Sequence, residues 1–302
     1  MMSLEEFAEE IFKGIAEKVD GGLEVRPVSG EKNNGVTLTG ITAQRPGGRG
    51  GAIIYLEGYY EECRKGRMTP GTVAEEVCRR LAEHCNDLDS ADLEPLWDWE
   101  AARANLRAKL VNREMNHGLL KKVPYRNFLD LAAIYYVAVD GLPRGVNAAF
   151  TVTDRIMGVW GKGEEELYQT AVSNMRLDGE PVFESMGEIL RDMMPDAASG
   201  PAPSILGTGM YVLTNQGKIF GAAELLDGCT LSRIGDKLGS DLVVLPSSVH
   251  ESIIVPADGR VPYEKLAAIV QEINSEQVAE QERLSDHVYL YEREESALRI
   301  AV

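Results

Sequence analysis

Apolar residues recur every three to four positions at the start of the chain, which is the spacing of one face of a helix. Leu4, Phe7, Ile11 and Ile15 form this stripe, and it predicts a helix over residues 3–19. Ser3 followed by Glu6 matches a capping box, in which each side chain bonds the other residue's backbone N–H. The first element is therefore predicted to be an amphipathic helix that begins at Ser3.

Alternating apolar residues then predict a β-hairpin. Two such runs flank the turn Lys32-Asn33-Asn34-Gly35, and Asn34-Gly35 suits the positive φ angles of a tight turn. The glycine-rich segment 45–51 follows. It lacks the order G-x-x-x-x-G-K-[ST] of a phosphate-binding loop, so we interpret it as a flexible connection.

The middle of the chain mixes helical and strand patterns. Helices are predicted from Thr69-Pro70 onward and over 164–175 and 183–194, and strands are predicted over 127–139 and 146–152. Segment 195–208 contains three prolines among small residues, which predicts a linker. The predicted organisation is an N-terminal lobe (1–194), this linker, and a C-terminal lobe (209–302).

The C-terminal hundred residues have the predicted order β-β-α-β-β-α-β. Its strands include 210–214, 219–225, 242–245 and 252–255, and its helices are 231–238 and 262–274. This order differs from the strict alternation of a parallel doubly wound sheet. The fold class predicted for the chain is therefore α+β, with mostly antiparallel sheets, helices packed on one face, and two lobes.

Charge and composition narrow the classes of function. The net charge is -17 and the calculated pI is about 4.8, so generic nucleic-acid binding and anionic membrane surfaces are disfavoured. No apolar run reaches the roughly 20 residues of a membrane span, and the N-terminus lacks the features of a signal peptide. The four cysteines have no metal-binding spacing, which predicts free thiols in the cytoplasm.

Several segments taken together resemble a known bacterial family. They are Asn33-Asn34-Gly35-Val36, Tyr55-Leu56 with Tyr59-Tyr60-Glu61, 123–131, Met157-Gly158-Val159-Trp160, 211–215 with Gly221-Ala222-Ala223, 245–251, and 284–289. The family comes from clostridia-like gut Firmicutes and is classed only as a domain of unknown function. The resemblance runs nearly end to end. It implies a bacterial cytosolic protein, but it implies no activity and no catalytic residues.

The best local cluster of reactive groups is Ser248, His250 and Glu251, which follows an apolar strand. A hydroxyl becomes a useful nucleophile when a base accepts its proton, so these residues are candidate catalytic groups. In an extended chain, however, Ser248 and His250 would lie about 7 Å apart, and no G-x-S-x-G elbow surrounds either serine. The alternative is that the serines cap a turn and His250 fills a satisfied polar site.

A second cluster, Ser285-Asp286-His287, raises the possibility of metal binding. His250 and His287, with Glu251 and Asp286, could supply nitrogen and oxygen ligands. No H-x-x-x-H or H-E-x-x-H order supports such a site. In the alternative, Asp286 caps a turn and His287 begins a strand. The acidic segment 87–94 departs from the EF-hand order and is interpreted as a solvated loop.

Two hypotheses of function follow from the sequence. The first is a cytosolic interaction or regulatory protein without catalytic activity, with a protein partner and no cofactor, because no convergent catalytic motif is visible. The second is a hydrolase or transferase that uses Ser248, His250 and Glu251. Hydrogen-bonding contact between the serine hydroxyl and an imidazole in a concave site would favour the second hypothesis.

Overall fold

A computed structural model describes residues 2–18, 22–47, 51–90, 97–139, 149–193, 209–259 and 261–302. The chain divides into two compact units. Unit 1 comprises Met1–Leu96 and Val139–Ala148, and unit 2 comprises Trp97–Ala138 and Ala149–Val302.

Unit 1 packs helices against a three-stranded antiparallel sheet of order β1-β2-β3. Its elements are α1 (Leu4–Ala16), β1 (Glu24–Glu31), β2 (Thr37–Gln44), β3 (Gly51–Tyr55), α2 (Glu57–Arg64) and α3 (Pro70–Ser90). The predicted capping box is present, since the Ser3 hydroxyl accepts from Glu6 N–H and the Glu6 carboxylate accepts from Ser3 N–H. Asn34 and Gly35 have φ angles of 62° and 70° in the predicted turn.

The core of unit 1 lies between these helices and the sheet. The predicted stripe of α1 supplies the buried residues Phe7, Ile11 and Ile15. They join buried side chains of α3, β2 and β3 in one cluster. Burial of an apolar face, and not helix propensity, is the main source of stability for such short helices.

Unit 2 contains the remaining elements. They are α4 (Trp99–Ala102), β4 (Leu106–Asn112), α5 (His117–Leu120), β5 (Tyr125–Phe128), β6 (Leu131–Ala138), β7 (Ala149–Thr151), α6 (Asp154–Trp160), α7 (Glu164–Leu177), β8 (Val182–Ser185), α8 (Met186–Met193), β9 (Tyr211–Thr214), α9 (Gly228–Leu238), β10 (Leu242–Leu245), β11 (Ser252–Pro256), α10 (Tyr263–Glu276), β12 (Tyr289–Glu292) and β13 (Ala297–Ile300).

Two antiparallel sheets organise unit 2. In the first, β6 pairs with β4 along one edge and with β5 and β7 along the other. The second has six strands in the order β13-β12-β10-β11-β9-β8, and α10 packs on buried residues of β10. These sheets confirm the predicted α+β class with antiparallel pairing.

The division of the chain differs from the predicted lobes. Residues 183–194 were predicted to be one helix, but Val182–Ser185 forms β8 before α8 begins. Strand β8 pairs with β9, so residues on both sides of segment 195–208 belong to one sheet. Residues 194–208 themselves lie outside the described part of the chain.

The predicted strand 219–225 is wrong. Residues Gly221–Leu226 form a buried 3-10 helix, and Phe220 before it has a left-handed φ of 56°. The Asn215 side chain closes the preceding loop, because it both donates to the Ile219 carbonyl and accepts from Ile219 N–H. A side chain that satisfies the backbone in this way replaces the pairing that a strand would need.

Two other predictions concern membrane spans and the cysteines. Each helix among the described residues is too short or too polar to serve as a membrane span. All four cysteines are free thiols, and Cys229 is the exposed one.

A substitution at Gly221 would show how tightly the 3-10 segment is packed. A Cβ atom there would lie 2.0 Å from Thr214 Oγ1 and 2.5 Å from the His250 carbonyl oxygen. We expect Gly221→Ala to lower the free energy of unfolding by about 3 kcal/mol, the cost of severe overpacking. All three tryptophans lie in unit 2, so urea denaturation followed by tryptophan fluorescence measures the effect.

The matched control is Gly158→Ala in α6, where a Cβ would meet nothing within 4 Å. This change should be neutral or stabilise by up to about 1 kcal/mol through helix propensity. Equal unfolding midpoints for the two variants would show that the contacts at Gly221 do not constrain the segment.

Candidate functional site

The hydroxyl of Ser248 is used by its own turn. It accepts a hydrogen bond of 3.1 Å from His250 N–H, and Ser248 is buried. Within the described residues, no hydrogen bond joins this hydroxyl to the His250 ring. The geometry matches the turn-capping alternative and provides no base for Ser248.

The His250 ring faces a different part of unit 2. Its Nδ1 accepts from Phe220 N–H at 3.3 Å, and the ring stacks on Phe220 with centroids 5.7 Å apart. Nε2 lies 3.9 Å from a carboxylate oxygen of Glu282. Glu251 is exposed. His250 therefore anchors the left-handed residue before the 3-10 helix.

Ser285 and His287 do meet a carboxylate, but it belongs to Asp130. The Ser285 hydroxyl donates to Asp130 Oδ2 at 2.7 Å, and His287 Nδ1 lies 3.1 Å from the same oxygen. Tyr289 donates its hydroxyl to Asp130 Oδ1. Burial, followed by the charge of Asp130, raises the pKa of Tyr289 far above its usual range. Asp130 thus ties the β5–β6 turn to the start of β12.

The Asp130 cluster lacks the geometry of a nucleophilic triad. In a triad the serine bonds one ring nitrogen and the carboxylate bonds the other. Here Asp130 and Ser285, the latter at 3.3 Å, both approach His287 Nδ1. The adjacent Asp286 instead accepts from the Asn274 amide.

The proposed metal ligands His250 and His287 bond different partners, as described above. Throughout the ranges that the structure describes, no three His, Cys, Asp or Glu side chains form a group suited to a metal ion. Metal binding by these two histidines gains no support from their geometry.

A cavity of about 360 Å³ lies elsewhere in unit 2, between the end of α7, the 3-10 segment and the start of α9. Its lining consists of Met175, Arg176, Gly179, Glu180, Pro181, Glu224, Asp227, Cys229, Thr230 and Arg233. The volume is within the range of small-molecule sites, which combine apolar walls with a few polar groups.

Glu224 is the unusual group in this cavity. Its residue is only 7% exposed, and no hydrogen bond or ion pair joins its carboxyl group to the rest of the described chain. Burial, followed by the nearby charges of Asp227 and Asp178, raises its pKa to about 7. Glu224 can therefore gain or lose a proton near neutral pH.

Asp227, three residues later, has the opposite environment. It caps α9 by accepting from Cys229 N–H, and Arg176 of α7 bonds both of its oxygens at 2.8 and 3.2 Å. Burial opposes its ionisation, but these hydrogen bonds and the charge of Arg176 outweigh burial and lower its pKa. Asp227 therefore stays charged beside Glu224.

The cations of the cavity already have partners. Arg176 pairs with Asp227, Arg233 pairs with Glu180, and the nearby Asp178 pairs with Arg107. Once Glu224 ionises, the nearby charge of Arg233 favours it, but no ion pair forms with Glu224 among the described residues. The site therefore favours a ligand that brings a positive charge or a hydrogen-bond donor.

Cys229 gives this cavity an accessible thiol. It is exposed, it is the second residue of α9, and its Sγ lies 4.0 Å from Arg176 Nη2. Its proximity to the Glu224 site makes it a chemical reporter of whether the cavity is occupied.

The sequence contained one signal for this site. Glu224 is the lone charged residue in the run Ile219–Leu226, and an acid among apolar residues is seldom buried without a reason. A strand over this run would place alternate residues on opposite faces of a sheet. Glu224 could then face solvent, so its charge did not indicate a buried site. The cavity itself depends on contacts between α7 and α9 that are distant in sequence.

Comparison with known protein families matches this chain to a family whose function is unknown. The model of the Family of unknown function (DUF5688) matches residues 4–293 of this chain. No curated protein and no solved structure matches it.

Asp130 can be tested as a structural link. Asp130→Ala leaves the hydroxyls of Ser285 and Tyr289, both buried, without their acceptor, which should cost about 3 kcal/mol of unfolding free energy. Glu294→Ala, which removes an exposed carboxylate after β12, should cost less than about 1 kcal/mol. Urea denaturation followed by tryptophan fluorescence measures both, and similar losses would argue against a linking role for Asp130.

The pKa of Glu224 predicts how stability depends on pH. Because the folded-state pKa is above the ordinary 4.5, the native state holds its proton more tightly than the unfolded chain. The contribution of Glu224 to the free energy of unfolding is therefore full below about pH 4.5 and decreases as pH rises to about 7, in total by about 3 kcal/mol.

Glu224→Gln should remove this dependence. The variant and the parent should have similar stability near pH 5, and the variant should be more stable near pH 8 by up to about 3 kcal/mol. Glu251→Gln, at an exposed glutamate, should retain the parental profile. Parallel pH profiles for Glu224→Gln and the parent would contradict the raised pKa.

Proposed function

We propose, on the premise that the chain belongs to the DUF5688 family of unknown function, that this protein binds a small cationic ligand in the Glu224 cavity. The ligand carries a primary amine or a similar cation that pairs with the Glu224 carboxylate. The observation that carries the proposal is this buried, unpaired carboxyl group on the wall of a cavity of about 360 Å³.

The charge balance of the cavity supports a cation over an anion. Arg176 and Arg233 are each engaged by a carboxylate, so an incoming anion would have to displace one of these pairs. A cation instead relieves the repulsion that Asp227 and Asp178 exert on Glu224. Opposite charge nearby favours the ionised carboxyl group.

The proposed ligand binding is a specific form of the interaction or regulatory role that the sequence predicts. Catalysis by Ser248, His250 and Glu251 is less well supported, because the Ser248 hydroxyl and the His250 ring each bond backbone N–H groups. We further propose a bacterial cytosolic location, which the free thiols and the family resemblance support.

Thiol chemistry in the same cavity is a second candidate function. It is favoured by the exposed Cys229 thiol beside Arg176 and by Glu224, whose pKa of about 7 suits proton transfer at neutral pH. Incubation with an activated acyl ester, followed by mass spectrometry, tests it. The candidate is supported if Cys229→Ser abolishes the acyl adduct and Glu224→Gln makes the adduct persist. Equal labelling of Cys63 and Cys229 would count against it.

Ligand binding is tested by calorimetry with n-butylamine, guanidine and the neutral n-butanol as probes. We expect saturable binding of the cations and none of the alcohol. Because Glu224 has a pKa of about 7, its ionised fraction, and hence cation affinity, should increase about tenfold from about pH 6 to pH 8.

Glu224→Gln should abolish this binding and its pH dependence, whereas Glu251→Gln should leave both unchanged. In the parent protein, saturating amine should also slow alkylation of Cys229 by iodoacetamide. If Glu224→Gln binds the amines as tightly as the parent, or if neither cation binds the parent, the proposed function is wrong.

A further inference from the structure

A second cavity continues the Glu224 cavity along α9. It has a volume of about 190 Å³ and is lined by Glu180, Pro181, Phe183, Thr230, Arg233, Ile234 and Lys237. Glu180, Pro181, Thr230 and Arg233 line both cavities. The two cavities therefore adjoin along α9, and we call the pair the α9 groove.

One face of α9 forms a wall of this groove. Thr230, Arg233, Ile234 and Lys237 follow the spacing of three to four residues that places side chains on the same side of a helix. Thr230 and Lys237 are seven residues apart, so the helical rise separates them by about 10 Å. The groove is thus longer than a simple amine.

The far end of the groove presents a cation. Lys237 is exposed, and its Nζ lies 5.2 Å from the centroid of the Phe183 ring, which stacks on Tyr211. In the described residues no carboxylate forms an ion pair with Lys237, whereas the neighbouring Asp236 and Arg233 pair with Arg293 and Glu180. Lys237 can therefore pair with an anionic group of a ligand without breaking another ion pair.

We propose that the ligand is dipolar, with an amine at Glu224 and a carboxylate at Lys237, at the two ends of a groove whose α9 wall alone spans about 10 Å. This inference rests on the proposed function and extends it to a ligand class, that of ω-amino acids and short peptides with free termini. An extended chain advances about 3.4 Å per residue, so a tripeptide is about as long as this wall. Pro181 and Ile234 provide apolar contacts for the middle of the molecule.

Calorimetry at about pH 8 with a series of ligands tests the proposal. The series is γ-aminobutyrate, ε-aminocaproate and ω-aminocaprylate, the methyl ester of each, and diglycine and triglycine. The carboxylate of ω-aminocaprylate should increase affinity about fivefold over its ester, as expected for a partly exposed ion pair. The same comparison for γ-aminobutyrate, which is too short to reach Lys237, should show no increase.

Lys237→Met should remove the advantage of the longest carboxylate and leave the affinity of its ester unchanged. Lys265→Met, at an exposed lysine of α10, is the matched control and should behave as the parent. Tighter binding of triglycine than of ω-aminocaprylate would assign the site to peptides, and the reverse order would assign it to ω-amino acids.

The outcomes separate the two proposals. If the esters bind and the carboxylate adds nothing at any length, or if Lys237→Met retains the advantage, the dipolar ligand is ruled out and the amine site stands. If neither the esters nor the free acids bind the parent protein, both proposals fail.

Discussion

The ion pair between Arg176 and Asp227 is the interaction on which the candidate site depends. It joins the last turn of α7 to the start of α9, and Asp227 also caps α9 through Cys229 N–H. The pair keeps Asp227 charged, and that charge helps to raise the pKa of Glu224 three residues away. Two neighbouring carboxyl groups thus acquire different protonation states at neutral pH from their environments alone, a pattern common in sites that bind or transfer protons.

Burial of Glu224 without a partner opposes folding, so other contacts have to hold the 3-10 segment in place. Gly221–Leu226 is buried throughout, and Gly221 lies so close to Thr214 and the His250 carbonyl that no larger residue fits. His250 secures the preceding Phe220 by accepting its N–H. A segment held this firmly maintains an unfavourable carboxyl group in position, which is the relation expected between a binding site and the scaffold that supports it.

Sequence patterns predicted correctly those elements that are determined by residues close together in the chain. The capping box of Ser3 and Glu6, the Asn34-Gly35 turn and the apolar stripe of α1 all formed as predicted, because each is complete within a few residues. Predictions failed where a distant partner decides the structure. Residues 182–185 are a strand because β9 pairs with them, and residues 221–226 are a 3-10 helix because Asn215, His250 and Thr214 enclose that loop.

The same distinction explains the candidate site. Ser248, His250 and Glu251 are reactive groups adjacent in sequence, which predicts a catalytic cluster. Short polar side chains near each other usually bond the local backbone, however, as Ser248 does. Asp130, Ser285 and His287 do converge, but Asp130 receives so many donors that little of its hydrogen-bonding capacity remains for a ligand. Glu224 differs from all of these residues because nothing in the described chain bonds its carboxyl group. Because this carboxyl group lines a cavity, its hydrogen-bonding capacity remains available to a ligand.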